Sequence, residues 1–331
     1  MSEFRYCKLK REWTLFAPER LKRPNNLHNK KEPKPKEIID NECPFDLGKE
    51  QFTPNEITRI TQNNVWQCRV VPNLYNALSI DVPLTSKRDS FFEKQNGFGA
   101  HEIVIETPIH DKQIWDYSFN DLVNYFTIIQ NRVCALKNDN RLEYISVFKN
   151  HGEHAGASMT HSHSQIIAMP FLPKKTKEEI EYKKEYFNKH KRALFDDLVY
   201  EELAYKKNII TQNQEFILYC PYASSFAFEV KIVAKKRLSS LYEFNKSDIS
   251  SLSDIIKEFF SKFYSALGEI PFNMIINNAP YKGYDEHTKD YFRFNIELKP
   301  RIYKQAGFEL GSDMAINVVM PETAATIYKE S

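Results

Sequence analysis

No stretch of this chain is long and apolar enough to span a membrane. The N-terminal run MSEFRYCKLKREW has no apolar core of the kind a secretory leader needs. These two absences make the cytoplasm the expected compartment. Neither sign of charge is in excess: 46 Lys and Arg stand against 44 Asp and Glu, a formal net charge of +2. That balance gives no support for a nucleic-acid binder working by bulk electrostatics. A disulfide framework is lacking too. The cysteines (Cys7, Cys43, Cys68, Cys134, Cys220) are odd in number and scattered, so reduced thiols are expected. What is present is 331 residues, 42% hydrophobic and 14% aromatic. That is a folded globular composition, with enough chain for one large or two modest domains.

Residues 24–40 are polar, charged and proline-rich, and read as a solvated arm or loop. Strands are expected at 66–71 and 102–106, rich in β-branched residues. A helix over 120–137 places Leu122, Tyr125, Phe126, Ile129 and Val133 on one face, with Ser118 and Asp121 as a capping box. Strands at 144–148 and 161–169 follow, the second ended by Pro170. Residues 175–195 read as a charged surface helix with a thin apolar stripe.

The second half echoes the first. A strand at 228–233 resembles 102–106, and a helix over 248–267 resembles 120–137. The segment 272–278 matches 144–150, and 292–300 falls where the strand before Pro170 falls. Strand, helix, strand, strand occurs twice, which points to a duplicated α+β unit with paired sheets. The halves are expected at 1–195 and 196–331. In this echo Tyr291, Arg293 and Asn295 stand for His161, His163 and Gln165, so only the first half retains histidines.

The chemistry concentrates in His161-Ser162-His163-Ser164-Gln165. Alternate residues of a strand share a face. An imidazole is a competent nucleophile near neutral pH, and its attack on phosphorus gives a phosphoramidate that divides a hard transfer into two steps. A glutamine can donate to a phosphoryl oxygen where a carboxylate would repel it. The preceding loop, residues 150–158, has small residues that let backbone N–H groups approach phosphates, with Asn150 and Ser158 as side-chain donors. A backbone carbonyl near Ala157 is the expected acceptor for the His163 Nδ1 proton. Cys43 and Asp46 have metal-knuckle spacing, and His110 and His161 could complete four ligands. On spacing alone an ordinary buried cysteine is the simpler reading.

The stretch VFKNHGEHAGASMTHSHSQIIAMP resembles the galactose-1-phosphate uridylyltransferase family. That family is the branch of the histidine-triad superfamily in which the last histidine is glutamine. The stretch is similar in particular to the branch containing ADP-glucose phosphorylase. APERLKRP, the segment 71–78, Thr107-Pro108-Ile109-His110 and GFELGSDMAINVVMPETAA extend the likeness over most of the chain. The resemblance implies duplicated histidine-triad-like α+β units with mostly antiparallel sheets flanked by helices, in a homodimer. It implies His163 as nucleophile, Gln165 on the α-phosphate, and Asn150, Gly156 and Ser158 around the diphosphate. Asn73 and Tyr75 would hold the nucleoside, while Arg20 and Arg23 would reach phosphate or sugar. Cys43, Asp46, His110 and His161 would bind zinc, with Asp46 replacing the usual second cysteine and weakening the site. A second metal site is expected to be lost, since Arg293 and Asn295 replace its histidines.

The expected activity is ping-pong nucleotidyl transfer from a nucleotide sugar to a sugar phosphate or inorganic phosphate. The leading version is UDP-glucose:hexose-1-phosphate uridylyl transfer, and the runner-up is phosphorolysis of ADP-glucose. A nucleotide-binding protein without catalysis is the rival from another class, opposed by the intact His163 and Gln165. A dinucleoside polyphosphate hydrolase would want a third histidine at Gln165.

Overall fold

The computed structural model describes residues 1–22, 43–282 and 287–331; the arm at 24–40 and Arg23 lie outside the described residues. The first half forms β1 (Glu3–Cys7), β2 (Glu12–Phe16), β3 (Thr58–Gln62), β4 (Val65–Pro72), β5 (Ser86–Asp89), β6 (Phe92–Gln95) and β7 (Ala100–Ile105). Helix α1 (Phe119–Lys137), β8 (Tyr144–His151), β9 (His163–Met169), α2 (Lys174–His190) and α3 (Leu194–Tyr205) follow. The second half adds β10 (Ile209–Gln212), β11 (Phe216–Tyr219), β12 (Val230–Ala234), α4 (Lys246–Leu267), β13 (Phe272–Asn277) and α5 (Thr288–Tyr291). It ends in β14 (Asn295–Pro300), α6 (Gly307–Ser312), β15 (Ala315–Asn317) and α7 (Pro321–Glu330).

One sheet carries ten strands in the order β10-β11-β12-β14-β13-β8-β9-β7-β4-β3, with every neighbouring pair antiparallel. The fold is therefore α+β, as expected. The two halves do not stack as separate sheets; they join edge to edge through β8 and β13. Read outward from that seam, each half repeats the same strand order. The register repeats too. Gln165 lies between Ile103 and Phe148, and Asn295 lies between Val233 and Asn277. Like Gln165, which sits beside the core residue Ile166, Asn295 alternates with the core residues Phe294 and Ile296. The echo of 144–150 in 272–278 is one residue out. Val147 and Ile276 both enter the main core, and a one-residue slip would turn each to the other face.

Ser118 and Asp121 form the expected capping box on α1, and Asn245 and Asp248 form another on α4. These two helices cover one face of the sheet. Leu122, Tyr125, Phe126, Ile129 and Val133 of α1 are buried with Leu252, Ile256, Phe259, Phe260 and Phe263 of α4 against Val104, Val147, Ile166, Met274 and Ile296. Each such side chain contributes about 1.5–3 kcal/mol by leaving water. Phe126 and Phe260 are each fully enclosed.

The opposite face differs between the halves. Over the second half, α2 and α3 pack down. Ile180 and Lys183 of α2 are buried, so the helix is more than a solvated one. Leu194 and Phe195 meet Ile217, Tyr219 and Val233. Over the first half the same face is lined by loop residues Cys43, Phe45 and Met159. The N-terminal hairpin β1–β2 joins β15 in a separate three-stranded sheet. Among the described residues no helix is long and apolar enough to cross a membrane.

A buried polar network sits beneath β9, on the face covered by α1. Glu106, one residue past β7, accepts from Lys149 Nζ at 2.9 and 3.0 Å, from Tyr117 Oη at 2.8 Å and from Ser162 Oγ at 3.0 Å. Ser164 Oγ also donates to it and in turn contacts Tyr125 Oη. Burial pushes the Glu106 carboxyl up, but Lys149 and the hydroxyls outweigh it and hold the group below its ordinary value. Burial alone drives the Lys149 ammonium down, against the pull of Glu106.

Lys149→Met should therefore cost about 3–5 kcal/mol in urea unfolding, because it leaves a buried carboxylate without its counter-ion. Adding Glu106→Gln should recover much of that loss. A cost under about 1 kcal/mol, the scale of an exposed ion pair, would show that the pair does not hold the strand.

Candidate active site

His163 is the first residue of β9, so His161 and Ser162 lie in the turn before the strand and not within it. This later start brings the His161 carbonyl back toward the ring two residues on. Its oxygen is 2.9 Å from His163 Nδ1. A carbonyl only accepts, so Nδ1 carries the proton and Nε2 keeps its lone pair. The acceptor is thus the His161 carbonyl and not one near Ala157. The imidazole is 5% exposed, and the Phe45 ring stands edge-on to it with the ring centroids 5.7 Å apart. Burial lowers its pKa below the ordinary histidine value, opposed by the bond to His161 and assisted by the Lys149 charge. His163 is therefore neutral at neutral pH and presents a nucleophilic nitrogen.

The strand's alternation divides the motif by chemistry. His163 and Gln165 face away from α1, while Ser162 and Ser164 point into the Glu106 network. Gln165 Oε1 lies 2.9 Å from Nε2 of His101 on β7. Asn73, just after β4, places Nδ2 3.1 Å from the same His101 nitrogen. The structure thus brings Asn73 and Gln165 together around His101. Tyr75 is not enclosed: it is 88% exposed, and its N–H donates to Asn73 Oδ1.

The loop from 150 to 158 turns at two glycines with positive φ, Gly152 at 78° and Gly156 at 86°. A Cβ on Gly152 would meet Pro271 at 3.0 Å, so glycine is required there. The backbone N–H groups of Ala155, Gly156 and Ala157 donate to loop carbonyls. These three are engaged within the loop itself. Side chains of the loop offer further donors. Asn150 Oδ1 accepts from Asn273 Nδ2 at 2.8 Å, and Asn273 also holds the Ala155 carbonyl. The Asn150 amide nitrogen therefore turns inward, 3.8 Å from where a Gly156 Cβ would stand. Ser158 is exposed on the loop. Arg20 lies in the short helical turn Pro18–Lys22 that follows β2, carried by the three-stranded sheet rather than the ten-stranded one.

Cys43, Asp46, His110 and His161 converge, with one ligand atom from each lying within 4.8 Å of the others. His161 Nε2 is 2.8 Å from the Thr107 carbonyl, which fixes the proton there and leaves Nδ1 with a lone pair. That lone pair faces Asp46 Oδ1 at 3.1 Å, and Cys43 Sγ lies 3.7 Å away. His110 Nδ1 is 2.8 Å from the same carboxylate oxygen. An acceptor facing an acceptor is the arrangement a cation resolves. A histidine donating its second N–H to a carbonyl is the usual support of a metal ligand.

Four residues of this assembly were not read from the sequence: His101, Glu106, Lys149 and Asn273. The serines of the motif held the available signal. Two hydroxyls facing the core, Ser162 just before the strand and Ser164 within it, require buried polar partners.

In the second half Arg293 stands where His163 stands in the first. It is 1% exposed and pairs with Asp196 at 2.8 and 2.6 Å beneath α3. Its remaining donors hold the Lys289 and Phe292 carbonyls. That position is a structural anchor.

Comparison with known proteins agrees with this geometry. Residues 1–173 match the family described as galactose-1-phosphate uridyl transferase, N-terminal domain. Residues 116–328 match a domain of unknown function (DUF4921). The chain is 30% identical to the ADP-glucose phosphorylase of Arabidopsis thaliana over 99% of this chain and 92% of that protein. It is 26% identical to the galactose-1-phosphate uridylyltransferase of Thermotoga maritima over 100% and 99%. The crystal structure of the Arabidopsis thaliana ADP-glucose phosphorylase with bound ADP-glucose superimposes with a TM-score of 0.85 at 29% identity, covering 100% of this chain and 99% of that one. A uridylyltransferase structure at 23% identity shares the fold with a TM-score of 0.76, covering 100% and 98%. With more than half its length matched, the chain belongs to the galactose-1-phosphate uridyl transferase family.

Proposed function

We propose that this nucleotidyltransferase carries a nucleoside monophosphate on His163 between two phosphate-bearing partners. The observation that carries the reading is the bond from His163 Nδ1 to the His161 carbonyl, which leaves Nε2 as the nucleophile. Nε2 attacks the α-phosphorus of a nucleotide sugar. A P–N bond forms, the P–O bond to the hexose phosphate breaks, and hexose 1-phosphate leaves with the electron pair. The imidazole retains its Nδ1 proton and becomes cationic, and the His161 carbonyl stabilises that charge. A phosphate oxygen of the acceptor then attacks, the P–N bond breaks, and neutral His163 returns. Gln165, Asn150 and Ser158 are the neutral donors assigned to the phosphoryl oxygens, where fixed dipoles favour developing charge. Asn73 and Tyr75 are assigned to the nucleoside, and Arg20 and Arg23 to phosphate or sugar.

The leading donor and acceptor are UDP-glucose and a hexose 1-phosphate such as galactose 1-phosphate. The likeness to the Arabidopsis thaliana ADP-glucose phosphorylase favours a second reading, adenylyl transfer from ADP-glucose to inorganic phosphate. We further assign zinc to Cys43, Asp46, His110 and His161. Thiolate, imidazole and carboxylate suit it, and there it would tie the turn before β9 to the Cys43 loop. The division into halves, expected at 195/196 and so within the first turn of α3 (Leu194–Tyr205), and a cytoplasmic homodimer complete the reading. None of the five cysteines forms a disulfide, and Leu74 and Tyr75 are exposed in the single chain.

Incubation with UDP-glucose or ADP-glucose in separate tubes should leave an acid-labile nucleotidyl group on His163, seen by intact and peptide mass spectrometry. The donor that labels identifies the base, and His163→Ala should take no label. If neither donor labels the wild-type chain, the covalent reading is wrong. Asp46→Cys should raise resistance to zinc removal by a competing chelator about tenfold, since a second thiolate is the better ligand. An unchanged chelator titration would place zinc elsewhere.

A further inference from the structure

The Gln165 amide has two ends, and only one of them suits a phosphoryl oxygen. His101, Ile103 and Ile105 of β7 share a face with His163, Gln165 and Ile167 of β9. Because Ile103 pairs with Gln165, His101 is its diagonal neighbour, within side-chain reach. His101 Nδ1 accepts the Ala77 backbone N–H at 3.1 Å. A backbone N–H cannot exchange its role, so Nδ1 bears a lone pair and a neutral ring carries its proton on Nε2. That nitrogen contacts Gln165 Oε1 at 2.9 Å and Asn73 Nδ2 at 3.1 Å. Asn73 Oδ1 already accepts the Tyr75 N–H at 2.9 Å, so its Nδ2 is a donor as well and cannot take the proton. Gln165 Oε1 is therefore the acceptor. The Asn73 amide is left in a donor–donor contact, which a ligand oxygen would relieve.

We infer that His101 is a positioning residue for nucleotidyl transfer. Through the chain Ala77 N–H to His101 Nδ1, and His101 Nε2–H to Gln165 Oε1, it turns the Gln165 NH2 toward the transferred phosphoryl group. Without it the amide can rotate and present its oxygen, which repels the phosphoryl oxygens. The same chain couples the segment from Asn73 to Ala77, assigned to the nucleoside, to the donor at the reacting phosphorus. The inference rests on the reading that Gln165 donates to that phosphoryl group.

The test is a double-mutant cycle on the single-turnover rate of His163 labelling by whichever of UDP-glucose and ADP-glucose labels the wild-type chain. His101→Leu removes the ring's donor at similar volume. His101→Gln returns an amide N–H near the Nε2 position. Gln165→Ala removes the group acted upon. His101→Leu should slow labelling about 10–100-fold with little change in KM, and His101→Gln should restore most of the rate. In the Gln165→Ala background His101→Leu should slow labelling by no more than about twofold further. Multiplying losses in the double variant, or His101→Gln as slow as His101→Leu, would overturn the inference while leaving the covalent mechanism intact. A Gln165→Ala variant that labels at the wild-type rate would sink the reading of Gln165 and the role of His101 with it.

Discussion

The Glu106 carboxylate is the constraint on which the site depends. It lies fully buried beneath β9 and receives Lys149, Tyr117, Ser162 and Ser164 at once. A carboxylate in that position is costly without partners, and each partner is fixed by satisfying it. Two of those partners are the serines that alternate with His163 and Gln165. Clamping the serines on one face sets the angle and depth of His163 and Gln165, the residues proposed for catalysis, on the other. Removing a strand's freedom to slip or twist is what an in-line displacement demands, since small misplacements of the reacting atoms are heavily penalised.

The sheet's internal symmetry explains why there is one such site and not two. The second half repeats the strand order and register, down to Asn295 between Val233 and Asn277. Its equivalent face is filled from above by α2 and α3, and Arg293 spends its donors on Asp196 and two backbone carbonyls. The second half still serves the first. Asn273, next to the seam, holds both Asn150 and the loop that follows it. The edge-to-edge join of β8 and β13 therefore does more than extend a sheet: it puts a residue of one copy under the 150–158 loop of the other.

Much of this was legible in the sequence. The two long amphipathic helices, the capping box at Ser118 and the strand-helix-strand-strand repeat follow from periodicity and local hydrogen bonding, which short windows carry. The convergence of Cys43, Asp46, His110 and His161 was also readable, through family likeness rather than spacing. What was not readable involves partners far apart in the chain. Nothing local marks Glu106 as buried, since it ends a strand in a run that could as well be solvated. His101 looks like any polar residue at a strand start until β7 and β9 are paired. The phosphate loop misled in a different way. Its small residues permit backbone N–H groups to face a ligand, but the loop turns at Gly152 and Gly156 and three of those groups, on Ala155, Gly156 and Ala157, meet its own carbonyls. The register of 144–150 against 272–278 was one residue out because each segment has apolar residues at consecutive positions, Val147 and Phe148 in one and Met274, Ile275 and Ile276 in the other, and only the core decides which face is which.

In the proposed mechanism two displacements at one phosphorus, both at His163 Nε2, carry the nucleotide from donor to acceptor. The stereochemical course at that phosphorus tests it most directly. A nucleotide sugar made chiral at the α-phosphorus with sulfur should give product with retained configuration, because two in-line inversions cancel. Inverted product would mean a single direct transfer between the substrates, and His163 would not be the carrier.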